Sequence, residues 1–140
     1  MKPKHLILGL TLAVGIAVGA IGTKALSAQA EAVKSTVLLK TDLKVIKEAR
    51  GMLALAELAP GAATGTHDHP GDELAYVLDG SVVVEVEGAA AVTYKSGDTF
   101  HQPRKRAHNI RNASATAPAK VLVVFIEKKK KAEPLSVPIA

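Results

Sequence analysis

The sequence predicts an all-β domain, a sandwich or a barrel, behind a short leader. Three observations carry that reading. No stretch after residue 30 keeps a helical hydrophobic period for more than two turns. Short segments instead alternate apolar with polar residues, or run in β-branched ones. Turn signals break these segments at intervals of roughly 8–12 residues. The 140 residues, 48% hydrophobic and 22% charged, suit one ordinary domain.

The leader comes first. Residues 1–30 hold Lys2, Lys4 and Lys24 and no acid, and Leu6 to Gly22 is a 17-residue run without charge. Ala28-Gln29-Ala30 follows as a small-x-small pattern. Together these read as a secretory signal peptide cleaved after Ala30, with Ala30-Glu31-Ala32 as a second site. Gly9, Gly15, Gly19 and Gly22 make the run a poor stable span, which needs ~20 apolar residues. No twin-Arg pair is present, so export proceeds unfolded, and the mature chain is expected in the periplasm or outside the cell. No stable membrane span is expected after cleavage.

Without its leader the chain has 15 basic residues rather than 18, against 13 acidic ones, and the net charge falls from +5 to +2. Most of the apparent basicity is targeting. Arg104-Lys105-Arg106 and Lys128 to Lys131 supply much of the rest and read as a solvated loop and a solvated strand end. The four aromatics, Tyr76, Tyr94, Phe100 and Phe125, are too few for a base-stacking platform, so no nucleic-acid partner is expected. The absence of Cys excludes disulfides, thiolate metal sites and cysteine nucleophiles.

Along residues 31–140, taken as one domain, residues 42–50 are read as one short helix. Met52 to Leu58 is a strand that stops at Pro60-Gly61. Glu73 to Leu78 is the next, ended by Asp79-Gly80, a hairpin signal. Ser81 to Glu87 places Val82, Val84 and Val86 on one face and Ser81, Glu85 and Glu87 on the other. Gly88 leads to Val92-Thr93-Tyr94, and Ser96-Gly97-Asp98 turns the chain again. A strand enters the region of His101, and residues 107–112 and 120–127 give two more strands, split by an Ala-Ser-Ala-Thr-Ala-Pro loop.

Four of the five His residues fall between positions 67 and 108. His67 and His69 are two apart, which on a strand turns both imidazoles to one face. Glu73 lies four further on, past Pro70-Gly71-Asp72. Two imidazoles and one carboxylate converging from one side form a facial metal site with open positions opposite. His108, from a distant strand, is the candidate fourth ligand. Neutral imidazole and ionised carboxylate bind first-row metals near pH 7 without a thiolate.

These residues stand in two spaced patterns. The first is Gly61, five residues, His67-Asp68-His69, three residues, Glu73, six residues, Gly80. The second is Gly97, five residues, Pro103, then Lys105, His108 and Asn112. Sixteen residues separate them. The chain thereby resembles the cupin superfamily, small jelly-roll barrels, over residues 52–127. Every fixed position of the first motif matches. The second departs at Lys105, where the family usually has Gly in a turn of positive φ. The resemblance implies a jelly-roll (cupin) β-barrel. It also implies one divalent metal, of the set Fe, Mn, Cu, Ni or Zn, held by the positions matching His67, His69, Glu73 and His108.

The neighbouring polar residues are read as supports. Asp68 points away from the two imidazoles, Asp72 faces solvent, His101 is half-exposed, and Asn112 stabilises its strand. Tyr76, Leu74 and Leu78 have the opposite parity to the inward Glu73, and Leu53 and Leu55 share a face with Glu57. Apolar residues on an outer face need cover, from residues 31–50 or from a partner subunit. Cupins are often dimers, and a homodimer is expected.

Two functions from different classes remain open on sequence. One is a metal-dependent oxygenase or oxidase of a small organic molecule, with Glu73 as ligand or, off the metal, as general base. The other is a binding module for a metal or small ligand, without turnover. A sugar isomerase is a weaker third, since few aromatics are available for stacking. If folding follows export, the affinity order favours copper or zinc over manganese or iron. A redox-active metal is expected.

Overall fold

A computed structural model describes residues 32–129 and the backbone of 137–138. The leader expected over residues 1–30 lies outside the described residues. The elements are β1 (Val33–Leu43), β2 (Ala49–Leu58), β3 (His67–Asp68), β4 (Asp72–Asp79) and β5 (Ser81–Val86). After them come β6 (Val92–Lys95), β7 (Thr99–Gln102), β8 (His108–Asn112), β9 (Ala119–Lys128) and β10 (Val137–Pro138). They form two five-stranded antiparallel sheets, ordered β1-β2-β9-β4-β7 and β10-β3-β8-β5-β6. The all-β expectation holds, and the arrangement is consistent with a jelly roll.

Period-2 patterning explains which face each strand buries. In β9 the odd positions from Ala119 to Glu127 are buried and the even ones half-buried or exposed. Val77, Val121, Val123, Phe125, Met52 and Ala54 from the first sheet meet Val82, Val84 and Ile110 from the second in one apolar cluster. Each of the valine, isoleucine, phenylalanine and methionine side chains contributes about 1.5–3 kcal/mol of burial. At one end of β9 the nearly buried Glu127 pairs with Arg50 on β2, its partner in the ladder, with Nε 3.0 Å from Oε1.

Two expectations are corrected. Residues 42–50 form no helix. β1 runs to Leu43, residues 44–48 turn, and Leu43 pairs with Ala49 at the start of β2. Glu48 takes a φ of +58° in that turn, a geometry no helix contains. β1 is an edge strand exposed on both faces, so of the residues expected as cover, 33–50 extend the first sheet and do not cover its outer face.

The second correction concerns Asp79-Gly80. The chain turns there, but β4 and β5 do not pair, because they belong to different sheets. The turn is a corner. Gly80 has a φ of +73°, and a Cβ on it would lie 2.8 Å from the Pro118 carbonyl oxygen, so the corner is packed against the start of β9. The true hairpin follows it, with Ser81 to Val84 of β5 paired to Lys95 to Val92 of β6.

Candidate metal centre

The ladders deliver the four sequence-predicted residues to one interior point. His67 on β3 pairs with His108 on β8, within the second sheet. Glu73 comes from β4 in the first sheet, where it pairs with Phe125 on β9. His69 follows β3 directly. Gly71 makes the short return from His69 to Glu73 possible, since a Cβ there would lie 2.3 Å from the Ile126 carbonyl oxygen. All four side chains are 1–8% exposed. The imidazole centroids lie 4.5 Å (His67 to His108), 4.9 Å (His67 to His69) and 5.2 Å (His69 to His108) apart.

The three imidazoles can hold a metal ion, since one nitrogen from each lies within 4.8 Å of the others. The Glu73 carboxylate stands beside them, Oε2 being 3.1 Å from His69 Nε2 and 3.2 Å from His108 Nε2. Two rings are fixed from behind. His67 Nδ1 donates to the Gly65 carbonyl and His108 Nδ1 to the Arg106 carbonyl, both at 2.8 Å. That assignment, made from the hydrogen-bond network, leaves each Nε2 with a lone pair toward the centre. Phe125 packs against His69 with centroids 4.7 Å apart.

Glu73 Oε2 and His108 Nε2 form the test of whether a metal fits. Both are buried and neither has an aligned hydrogen bond, although they lie 3.2 Å apart. With the His108 proton on Nδ1, the two atoms face each other as acceptors. Such a pair needs a cation, either a proton or a metal. The donor set of imidazole nitrogen and carboxylate oxygen suits a first-row divalent ion.

The protonation balance has the same cause. Burial alone pushes the Glu73 carboxyl up, but His108 and His69 outweigh it and hold the group at about 2. Burial pushes His108 down, but Glu73 and the Arg106 carbonyl reverse this and leave it raised. His67 is lowered, chiefly by burial, with the Gly65 carbonyl opposing and His108 and His69 reinforcing.

The supporting residues fall where the sequence placed them. Asn112 is buried and donates from Nδ2 to the carbonyls of Leu58, Ala59 and Ala117, while its Oδ1 accepts from Ser114 N–H. Asp68 lies 3.4 Å from Lys105 Nζ, away from the imidazoles. Asp72 accepts from Arg104 N–H and lies 3.3 Å from Nε2 of the half-exposed His101. Lys105 keeps the positive φ, +61°, that its position demands, and its N–H donates to the His69 carbonyl at 2.9 Å. The second motif's loop is thus tied to the first despite the missing glycine.

Sequence reasoning missed Gln102. It is 6% exposed and stands directly across the ladder from Glu73. The signal was its parity with the buried Phe100.

Comparisons with known proteins bear on the family and the fold. A sequence profile of the family described as a cupin domain matches residues 54–125. The sequence matches no curated protein. A solved structure from Thermus thermophilus is 31% identical with a TM-score of 0.58, over 71% of this chain and 88% of that one. A cupin superfamily protein from Desulfitobacterium hafniense is 21% identical with a TM-score of 0.58, over 69% and 78%. An oxalate oxidase bound to the substrate analogue glycolate is 22% identical with a TM-score of 0.54, over 69% of this chain and 51% of that one. The second and third likenesses speak for the fold alone.

Proposed function

This chain belongs to the cupin family, and on that premise we propose that it is an exported metal-dependent oxygenase or oxidase of a small organic molecule. Its metal would be one divalent ion on His67, His69, Glu73 and His108. The observation that carries the reading is the pair of buried acceptors, Glu73 Oε2 and His108 Nε2, facing each other inside a cluster of three imidazoles. That an oxalate oxidase has a similar fold makes oxidative chemistry compatible with this barrel, without fixing it.

When bound, a redox-active first-row metal supplies Lewis acidity and electron exchange with oxygen. The chain supplies the rest. The Gly65 and Arg106 carbonyls fix the rings of His67 and His108 and keep each Nε2 aimed inward. Phe125 and the valine wall keep bulk water from the ligands. Glu73 would hold the metal through its carboxylate and, off it, would be placed to take a proton at Oε2 from a bound ligand.

Metal analysis of protein purified from its own compartment tests the reading, with oxygen consumption over a panel of small organic molecules. One redox-active ion per chain is expected, and His69→Ala should lose it. Redox-inert zinc at full occupancy would remove the oxygenase and leave a binding module. No metal after refolding with several candidates would remove the centre itself.

Export and pairing belong to the same proposal. The basic start, apolar run and Ala-x-Ala of residues 1–30 support export, and N-terminal sequencing of the mature protein should begin at Glu31. Leu74, Tyr76 and Leu78 are each 43% exposed on one outer strip of β4, which β1 does not cover. That strip supports a second copy of this chain as its cover.

A further inference from the structure

We propose that the cleft beside the metal centre is a binding site for a small aliphatic carboxylate, selected by Gln102 and Arg106. The proposal rests on the metal reading only for its neighbour, since the cleft is built from other residues. It has a volume of about 250 Å³ and is walled by Val84, Val86, Val92 and Tyr94, with Gln102 and Arg106 also lining it. At ~30 Å³ per water, that is room for roughly eight waters, and so for a ligand of a few carbons.

The ladders place this cleft against the site. Gln102 on β7 stands opposite Glu73 on β4, and Val86 on β5 stands opposite His108 on β8. Residues opposite each other on neighbouring strands share a face. Two cleft residues are therefore immediate neighbours of two proposed metal ligands.

His101, which also lines the cleft, is paired with Asp72, while the Gln102 and Arg106 side chains have no partner among the described residues. Gln102 as a residue is 6% exposed, and its side chain makes no hydrogen bond among the described residues. Its amide is not among the fully buried unpartnered atoms, so it reaches the water of the cleft and can meet a ligand there. Arg106 uses its carbonyl to accept from His108, while its guanidinium makes no ion pair among the described residues. No Asp or Glu lines this cleft. By contrast, a second cleft, which shares Val86 and reaches His108, includes Glu85 and Glu87.

The cleft thus offers an anion a guanidinium without a protein counter-charge, on an exposed residue, and a carboxamide donor beside it. A planar fork favours a planar carboxylate. The valines favour a short alkyl chain behind it.

Amide NMR titration tests this, following the side-chain signals of Gln102 and Arg106 in zinc-loaded and metal-free protein. The probes are butanoate, butanamide and inorganic phosphate. Butanoate should shift both signals and bind at least about tenfold more tightly than either other probe. Gln102→Leu and Arg106→Gln should each weaken butanoate about tenfold while metal content stays at the wild-type level. Should Gln102→Leu not fold, Arg106→Gln, changed at an exposed side chain, carries the test. Equal binding of butanoate and butanamide, or of butanoate and phosphate, would overturn the proposal. So would full affinity in the folded variants, or zinc-dependent binding that leaves the Gln102 signal unmoved. If the protein takes no metal, the metal reading falls and the metal-free titration still decides the cleft: butanoate shifting both signals supports it, and no shift overturns it.

Discussion

Glu73→Gln should weaken metal binding at every pH, yet change the metal-free fold in opposite directions at low and high pH. Glutamine keeps the shape of the side chain, removes its charge and brings an NH₂ donor. Above the raised pKa of His108, the metal-free protein has Glu73 Oε2 and His108 Nε2 as two buried acceptors 3.2 Å apart. A buried group without a partner costs about 1–3 kcal/mol, and the new donor relieves at least one of them. At a pH above the folded His108 value, the metal-free variant should therefore melt higher, by roughly 4–8 °C per kcal/mol in a domain of this size. Lower pH reverses the sign. Glu73 is depressed from 4.5 to about 2, so its contribution is present above 4.5 and lost as pH falls toward 2. His108 is raised, so its contribution is present below 6.5 and lost as pH rises through its folded value. At about pH 6 both contributions are present, and removing the carboxylate should cost about 3 kcal/mol, from 1.36 kcal/mol per pKa unit. Thermal melts of chelator-treated protein at the two pH values, with zinc titration calorimetry beside them, measure all three effects. Zinc affinity should fall by more than the roughly 10–100-fold that disturbing an outer partner costs. Unchanged zinc affinity, or an equal loss of stability at both pH values, would refute the reasoning.

Asn112→Ala should cost about 3–4 kcal/mol in chemical denaturation, near 1 kcal/mol for each of its four hydrogen bonds, and leave the metal content of the folded fraction unchanged. Lys105→Gly should change stability by less than about 1 kcal/mol in the same assay. Relief of the positive φ is offset by the greater chain entropy of glycine and by an exposed ion pair with Asp68 of small worth. Lys105→Ile, β-branched at the same φ, should lose about 1–2 kcal/mol. Tyr76→Glu should convert a dimer to a monomer in light scattering without changing metal content, and a dimer that persists would move the contact elsewhere.

What the sequence made legible is what short-range periodicity encodes. The Gly61 to Gly80 and Gly97 to Asn112 spacings fix which residues turn inward, and the structure brings His67, His69, Glu73 and His108 together accordingly. The buried Asn112, the exposed Tyr76 and the solvent-side pairing of Asp72 follow from the same parity. Long-range choices were not legible. Asp79-Gly80 announces a turn, but whether β5 returns to β4 or crosses to the other sheet depends on β8, whose residues begin 28 positions after Gly80. β1 lacks alternation because neither face is buried, so its strand form comes from pairing with β2 alone. Gln102 was hidden by the His next to it, which draws attention as a ligand type while pointing outward.

The origin of the ligands has a consequence for folding. Glu73 belongs to the first sheet, and His67 and His108 belong to the second. Ligation of all of them at one point therefore requires that the two sheets be docked. Binding a metal and closing the barrel become one equilibrium, in which any metal affinity of the native state adds directly to the stability of sheet packing. The two loop ties act in the same direction. Lys105 N–H on the His69 carbonyl and Arg104 N–H on Asp72 join the second motif's loop to the first motif. The ties position the proposed ligands in advance, so less ordering would be left for a metal-binding step.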